Sequence, residues 1–334
     1  MPWWFGSLIF DVAFRTVAFS SLTATSSHVF FRSFAFPRPA FASLATELHY
    51  SPRSYDDLLV VAKSLRRKLG ENAQADVGII CGSGLGLIAD QVVDPVILPY
   101  REIPGFPSTT VEGHEGNLVF GKLSGKRVVC MQGRFHPFEH NMDMALCAFP
   151  VRVMHQLGVK TLIISNSAGG INPNFQDGDL MLIKDQIFLP GLGGMSPLVG
   201  VNDARFGAHF VSVHELYDKP LRRLAMEVAK KEGMRLFEGI YVMTGGPHYE
   251  TPAEVTMLRE MGGDAVGMST CPEVIVAAQC GIKVFGFSVI TNMANTDIDD
   301  AVVVSHEQIL KVATEASPLV VRFVKDIVNE LPRL

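Results

Sequence analysis

The chain has 334 residues, of which 19% are charged and 48% are hydrophobic, and its formal net charge at pH 7 is −5. This length allows one large α/β domain or two smaller ones. The 29 Lys and Arg residues are scattered rather than gathered into a stripe, so a nucleic-acid backbone is not an expected partner. The apolar stretches are interrupted before they reach the roughly 20 residues that cross a bilayer, so no transmembrane helix and no membrane partner are predicted.

The cysteines indicate a reducing compartment. They are odd in number, include no Cys-x-x-Cys pair, and lie mostly within or beside apolar runs, at Cys81, Cys130, Cys147, Cys271 and Cys280. Such a pattern is typical of reduced, buried thiols in an intracellular protein, and we expect a cytoplasmic location.

The first 45 or so residues differ in composition from the rest of the chain. They hold both tryptophans, many phenylalanines, several Ser and Thr, three arginines and one acid, Asp11. We predict an N-terminal extension over residues 1–50 that is disordered or not native, and one folded domain over residues 51–334. The extension loosely resembles an organelle transit peptide, and a cloning residue or a misplaced start codon explains it equally well.

An orderly pattern of helices and strands begins at Tyr55. Apolar residues at helical spacing predict a capped helix that runs through Leu69 and ends at Gly70. Helical patterns and glycine turns then separate six β-rich runs, Val77 to Cys81, Val128 to Gln132, Thr161 to Ser165, Leu180 to Ile183, Ile240 to Thr244 and Val284 to Ile290. The alternation predicts a single-domain α/β fold with a central mixed, mostly parallel sheet flanked by helices. Ligands are expected beyond the carboxyl ends of its strands.

A glycine-rich turn directly follows the first predicted strand. In the segment from Val77 to Gly86, backbone amides and the Ser83 hydroxyl can approach an anion beside a predicted helix N-terminus. A tight turn without a ligand is an equally open interpretation. A dinucleotide site is disfavoured, because Leu87 occupies the third glycine position of a G-x-G-x-x-G pattern.

Arg134 and His136 follow the second predicted strand. They are two residues apart, so an extended backbone directs both toward one point, as phosphate binding requires. A surface ion pair and a capping histidine remain the alternative. His136 also begins an H-x-x-E-H string, a zinc motif that needs a helix. Because Pro137 follows a glycine-ended strand and no third ligand is evident, we expect no metal.

Polar side chains also follow the later strands. Glu254 is predicted to be an acidic residue in the first turn of a helix. Asn292 lies at the end of a central strand, and its side-chain amide offers both a donor and an acceptor to the edge of a heterocycle. Together with the turns, these segments form an ordered set: 81–86 (CGSGLG), 113–116 (GHEG), 131–136 (MQGRFH), 166–173 (NSAGGINP), 178–183 (GDLMLI), 245–251 (GGPHYET), 264–269 (DAVGMS) and 290–292 (ITN). In order and spacing, this set resembles the trimeric purine nucleoside phosphorylases of the inosine and guanosine class, from about Tyr55 to the C-terminus.

The resemblance implies a reaction and a set of roles. It implies reversible phosphorolysis of the N-glycosidic bond of (deoxy)inosine and (deoxy)guanosine in purine salvage, by a homotrimer with no cofactor beyond phosphate as co-substrate. The implied catalytic residues are Asn292, Glu250 and His136. The implied binding residues are Ser83, His114, Arg134, His136, Ser167 (through its backbone amide) and Ser269 for phosphate; Phe138, Met268, His306 and Leu192 for ribose; and Tyr249, Glu250, Val266 and Asn292 for the purine.

Four of these positions differ from the common pattern of that family. Phe138 replaces a tyrosine, so one hydroxyl contact to ribose is missing, and Ser167 replaces an alanine. Leu192 replaces a phenylalanine that a neighbouring subunit usually lends to the ribose pocket, and Tyr249 replaces a phenylalanine.

The sequence also bears on three other functions. Methylthioadenosine phosphorylase, a relative of the same fold, carries an aspartate near the position of Asn292. Asn292 with Glu250 therefore favours a 6-oxopurine. A binding protein without turnover is disfavoured, because Arg134, His136 and Asn292 are all present. A nicotinamide-dependent oxidoreductase is disfavoured because the glycine motif does not fit.

Overall fold

A computed structural model describes residues 50–299 and 303–332. The extension predicted over residues 1–50 lies outside these residues apart from Tyr50, so its boundary stays a prediction. The chain from Leu48 to Leu334 forms one compact unit.

The predicted first helix is confirmed with its caps. The Ser54 side chain accepts a hydrogen bond from the backbone amide of Asp57, and Gly70 ends the helix with a φ of 59°. The described α-helices are α1 (Tyr55–Leu69), α2 (Met144–Gln156), α3 (Leu189–Leu192), α4 (Lys219–Lys231), α5 (Pro252–Glu260), α6 (Cys271–Gln279) and α7 (His306–Glu330). Glu254 completes a capping box with Thr251 at the start of α5, as the sequence indicated.

The strands form one mixed sheet in the described part of the chain. They are β1 (Val77–Cys81), β2 (Val93–Pro99), β3 (Asn117–Leu123), β4 (Lys126–Gln132), β5 (Thr161–Gly170), β6 (Leu180–Phe188), β7 (Leu236–Met243), β8 (Ala265–Gly267) and β9 (Lys283–Met293). Their order is β2-β3-β4-β1-β5-β8-β7-β6-β9, and β9 also pairs with β5. The extra pairing closes the last five strands into a ring. The predicted mixed α/β fold is thus confirmed, with parallel pairing concentrated around β1, β5 and β7.

All six predicted β-runs correspond to strands, although Thr244, the last residue of the fifth run, lies just beyond β7. The sequence did not predict β2, β3 and β8. β2 is largely exposed, contains Pro95, and has a φ of 52° at Asp94, so its sequence lacks a buried apolar run. The helix predicted after the glycine turn is present, but it is not an α-helix. A 3₁₀ helix, Gly86–Gln91, stands there, because the chain must enter β2 at Val93.

Helices pack on both faces of the sheet. One core cluster joins α1, α2 and α6, through residues such as Leu58, Phe149 and Val274, to one face. A second joins α4 and α7, through residues such as Ala225 and Phe323, to the other. With both faces covered, the open ends of the strands are left for a ligand.

The cysteines are free thiols, four of them buried and Cys280 half-buried. Among the described residues, none of the helices combines the length and the apolar character that membrane crossing requires.

Candidate active site

A cavity of about 750 Å³ lies at the carboxyl ends of β1, β5, β8 and β9. Its wall includes most of the residues singled out from sequence, Ser83, His136, Phe138, Ser167, Tyr249, Glu250, Val266, Met268, Ser269, Asn292 and His306. His114 and Arg134 lie directly behind this wall, in contact with Ser83 and Ser269 respectively. Leu192 alone of the predicted residues lies apart from the cavity, at the end of α3 and 78% exposed.

Two turns meet at one end of the cavity. Ser83 follows β1, and its carbonyl oxygen accepts a hydrogen bond of 2.9 Å from the hydroxyl of Ser167 in β5. Gly82 allows this approach, because a Cβ there would lie 2.8 Å from the Cα of Asn166. The Ser83 hydroxyl lies 2.9 Å from Nε2 of His114. This end of the cavity therefore presents hydroxyl groups held by backbone contacts.

Three aromatic rings stack beside these hydroxyls. His136 lies between His114 and Phe138, with both centroid distances at 5.1 Å and interplanar angles of 27° and 15°. Nδ1 of His136 lies 3.2 Å from Oε2 of Glu139. An ionised carboxylate can only accept, so Nδ1 carries the proton and Nε2 is the nitrogen left to serve a ligand.

Burial holds both imidazoles neutral at pH 7. Desolvation, with a smaller contribution from the charge of His136, lowers the pKa of His114 to about 3. Burial also lowers the pKa of His136, although the hydrogen bond to Glu139 opposes it. Burial raises the pKa of Glu139, but hydrogen bonds from His136 and Thr110 outweigh it and hold this pKa well below its usual range.

Arg134 supplies a positive charge behind the hydroxyls. Its side chain is 1% exposed, and Nη1 donates to Ser269 Oγ at 2.7 Å and to Thr270 Oγ1 at 3.0 Å. Nε lies 3.5 Å from the buried carboxylate of Glu273, whose pKa burial raises and Arg134 lowers. Among the described residues, Nη2 has no hydrogen-bond partner. A buried cation next to two hydroxyl-bearing residues, Ser269 and Thr270, is a set of groups that suits a phosphate.

The other end of the cavity carries a carboxylate and an amide. Glu250 lies in the loop after β7, and its Oε1 accepts a hydrogen bond of 2.8 Å from Thr244 Oγ1. Asn292 is 8% exposed near the end of β9, and its Oδ1 accepts from Thr291 Oγ1 at 3.3 Å. That contact leaves Nδ2 of Asn292 to donate to a ligand. Tyr249 and Val266 line the same region.

The part of the wall between these two ends is mainly apolar. A Cβ at Gly246, whose φ is 62°, would collide with Met268 and approach Phe138, so glycine lets the loop close on them. His306 begins α7, and its Nε2 lies 3.2 Å from the carbonyl oxygen of Glu112.

The sequence does not predict four residues that hold the side chains of the site, Thr244, Thr270, Glu273 and Glu139. Glu139 is noted in the sequence only as part of the H-x-x-E-H string. Glu139 instead orients His136, and in the described residues no three His, Cys, Asp or Glu side chains gather as a metal site would need. Thr270 and Glu273 follow the 264–269 segment directly, as a capping box at the start of α6. A threonine and a glutamate at that spacing were the available signal.

Comparison with known proteins identifies the family. A model of the Phosphorylase superfamily matches residues 76–329. A purine nucleoside phosphorylase of Rattus norvegicus is 46% identical over 281 residues, which cover 84% of this chain and 96% of the relative. Purine nucleoside phosphorylase 1 of Geobacillus stearothermophilus is 48% identical over 273 residues, which cover 81% of this chain and 96% of the relative.

Solved structures agree with the sequence comparison. The Schistosoma mansoni purine nucleoside phosphorylase in complex with inosine superimposes with a TM-score of 0.81 at 44% identity, over 86% of this chain and 100% of that one. The resemblance of the sequence motifs to purine nucleoside phosphorylases is therefore confirmed, and it extends to the fold that forms the cavity. The chain belongs to the phosphorylase superfamily and, within it, to the purine nucleoside phosphorylases, which are pentosyltransferases.

Proposed function

We propose that this purine nucleoside phosphorylase acts on 6-oxopurine nucleosides, (deoxy)inosine and (deoxy)guanosine, in purine salvage. The observation that carries the proposal is one cavity with Ser83, His136 and Ser269 at one end and Glu250 and Asn292 at the other. Structures of Schistosoma purine nucleoside phosphorylases with inosine and with guanosine, and of a purine nucleoside phosphorylase with ribose-1-phosphate, support it.

Phosphate binds at the hydroxyl end in this proposal. Ser83 and Ser269 donate hydroxyl hydrogen bonds, His136 accepts through Nε2 from a protonated phosphate oxygen, and Ser167 contributes its backbone amide. Arg134 supplies the compensating charge through Ser269 and its unpartnered Nη2. His114 acts indirectly, because its ring stacks on His136 and its Nε2 is hydrogen-bonded to the Ser83 hydroxyl.

Cleavage of the C1′–N9 bond builds positive charge on the ribose ring and negative charge on the departing purine. Phosphate, held against one face of the ribose, stabilises the ring charge and forms the new C1′–O bond. Asn292 donates to N7 as charge develops there, and Glu250 accepts from N1–H. Because phosphate is itself the nucleophile, we propose that the reaction uses no metal or organic cofactor.

The ribose lies between these groups in the proposal. Met268 and Phe138 pack against the sugar, and His306 faces its 5′-hydroxyl. Tyr249 covers one face of the base and Val266 borders it. Leu192 would contact the ribose only from a neighbouring subunit, since in its own chain it lies apart from the cavity.

Phosphorolysis of inosine, guanosine, methylthioadenosine and adenosine, each with and without phosphate, tests the function. We expect phosphate-dependent release of hypoxanthine and guanine that collapses in Asn292→Ala. Asn329→Ala, on the exposed surface of α7, is the matched control and should behave as wild type. Turnover restricted to 6-aminopurine nucleosides would assign the chain to methylthioadenosine phosphorylases instead.

We also propose a homotrimer. Large apolar side chains are exposed between α3 and residue 213, including Leu192 at 78% and Phe210 at 91%, as an interface between copies would require. Light scattering should give three times the chain mass. In Leu192→Ala, KM for the nucleoside should rise while KM for phosphate stays constant. A monomeric mass with full activity contradicts the proposal.

A cytoplasmic location is proposed from the chemistry of the cysteines. Free, buried thiols are usual in proteins of a reducing compartment. Microscopy of the full chain with a C-terminal fluorescent protein tests this, with a chain that begins at Leu48 as the control. An organellar signal that only the full chain gives would assign targeting to residues 1–45 instead.

A further inference from the structure

The carboxylate of Glu250 lies on a loop, yet one of its oxygens is held by the sheet. Glu250 follows the segment 245–249 and is half-buried, so its three side-chain torsions are not fixed by dense packing. The Thr244 hydroxyl lies 2.8 Å from Glu250 Oε1 and 3.4 Å from the carbonyl oxygen of Gly267. A hydroxyl has one proton to donate, and the shorter of the two distances is the one to Glu250, so Thr244 donates to Glu250.

Thr244 is itself rigidly placed. It directly follows β7, and its backbone amide donates to the carbonyl oxygen of Gly267 at 2.9 Å, which continues the parallel pairing of β7 with β8. The same β8 strand carries Val266, which lines the cavity. The donor that orients Glu250 is therefore anchored to the sheet by a backbone hydrogen bond, although Glu250 itself lies on a loop.

The orientation of this carboxylate decides which purines it can bind. A 6-oxopurine presents a protonated N1, which donates to a carboxylate oxygen. A 6-aminopurine presents an unprotonated N1, whose lone pair faces the same oxygen, and its donor is the exocyclic amino group nearby. A carboxylate free to rotate reaches that amino group, whereas one fixed toward N1 does not.

We propose that Thr244 is a positioning residue that sets the preference for 6-oxopurines, because its hydroxyl occupies Glu250 Oε1 and leaves Oε2 directed at N1–H. This inference rests on the purine-binding role proposed above for Glu250. The fixed carboxylate selects between bases, because its oxygen accepts from the protonated N1 of a 6-oxopurine and faces only a lone pair on N1 of a 6-aminopurine.

Replacement of the hydroxyl by a methyl group tests the inference. In Thr244→Val we expect KM for inosine to rise about tenfold, as the loss of one hydrogen bond to a charged group predicts. We expect the inosine-to-adenosine ratio of kcat/KM to fall by about the same factor, and KM for phosphate to stay within about twofold. Thr244→Ser should restore all three values.

Thr256→Val is the matched control. Its hydroxyl donates to the carbonyl oxygen of Pro252 at 2.9 Å in the neighbouring helix α5, and Thr256 does not line the cavity. This variant loses the same group and should keep wild-type constants. If Thr244→Val raised KM for inosine and KM for phosphate equally, Thr244 would have a general structural role, and the inference would be overturned.

A double-mutant cycle separates this inference from the proposed function. If both hold, Glu250→Ala lowers kcat/KM for inosine, and adding Thr244→Val to Glu250→Ala costs nothing further. If Glu250→Ala has no effect, the purine-binding role of Glu250 fails, and the inference fails with it. If Glu250→Ala is impaired but Thr244→Val costs nothing, or costs the same in both backgrounds, only the inference is overturned.

Discussion

The two ends of the cavity differ in how they are held. At the end proposed to bind phosphate, the phosphate end, Arg134, His114 and Ser269 are buried and bonded to one another or to neighbouring turns. At the end proposed to bind the base, the purine end, Tyr249 is 39% exposed and Glu250 lies on a loop. Groups that the protein fixes before the ligand arrives lose little freedom on binding, so the phosphate end is preorganised by buried contacts, whereas at the purine end the orientation of Glu250 depends on its hydrogen bond from Thr244.

This difference separates two properties of the enzyme, its activity toward all nucleosides and its choice between them. Changes at the phosphate end should affect every nucleoside equally, because all of them share one nucleophile. Changes at the purine end should alter the choice between nucleosides. Three of the four departures from the family pattern, Phe138, Leu192 and Tyr249, belong to the nucleoside side, where loops and a proposed neighbouring subunit form the wall.

The largest effect is expected when the buried cation is removed. In Arg134→Met, Ser269 loses its donor and Glu273 stays buried without a compensating charge. We expect kcat/KM for phosphate to fall on the order of 10³-fold with every nucleoside, as measured by initial rates against phosphate concentration. Arg235→Met removes an ion pair with Asp179 away from the cavity and is the control. A loss confined to one nucleoside would mean that the two ends are not independent.

A change at the opposite end should alter selectivity. Asn292→Asp replaces an amide that donates with a carboxylate that only accepts. We expect kcat/KM for inosine to fall about 10²-fold, with a smaller loss for adenosine, so the ratio between them shifts. KM for phosphate is the internal control and should be unchanged. Equal losses for both nucleosides would argue against contact between Asn292 and the base.

The preorganisation of the phosphate end should appear in the pH dependence of stability. The pKa of His114 is about 3 in the folded chain, below the usual value of 6.5, so the unfolded chain takes up its proton first. The free energy of unfolding should therefore fall as pH falls from about 6.5 toward about 3, by up to about 1.4 kcal/mol per pH unit from this group.

Urea unfolding at several pH values between 4.5 and 7.5 measures this slope, and His114→Asn should flatten it. His209→Asn, an exposed histidine, should leave the slope as in wild type. An unchanged slope in His114→Asn would show that the folded protein tolerates a charged imidazole at this position.

The same contrast explains what the sequence could predict. Helix α1 and strand β1 follow from apolar periodicity and from Gly70 and Gly82, which are local signals. Asn292 follows from its place after a buried strand. The bond between Arg134 and Ser269 joins residues 135 positions apart. It depends on the segments after β4 and β8 meeting beyond the sheet, although β1 and β5 lie between these two strands, and not on any local pattern.

The partnership between Thr244 and Glu250 illustrates a different limit. The two residues are only six positions apart, but the loop between them must turn back to bring the carboxylate onto the hydroxyl. A polar residue after an apolar strand is common, so Thr244 alone gave no specific signal. Only the geometry of the loop brings Thr244 into contact with Glu250, the group proposed to bind the base.

The smallest effect is expected where a hydroxyl is restored. Phe138 stacks on His136 at 5.1 Å and lines the cavity beside Met268, so its para position is a point from which a tyrosine hydroxyl could reach the ribose. In Phe138→Tyr we expect kcat/KM for inosine to rise about threefold, as one added hydrogen bond predicts, and kcat/KM for 2′,3′-dideoxyinosine to stay constant. Phe237→Tyr, on a half-buried side chain that does not line the cavity, is the control. Equal gains for both nucleosides would mean that the new hydroxyl acts without touching the sugar, and the ribose would then have to lie farther from the stacked rings.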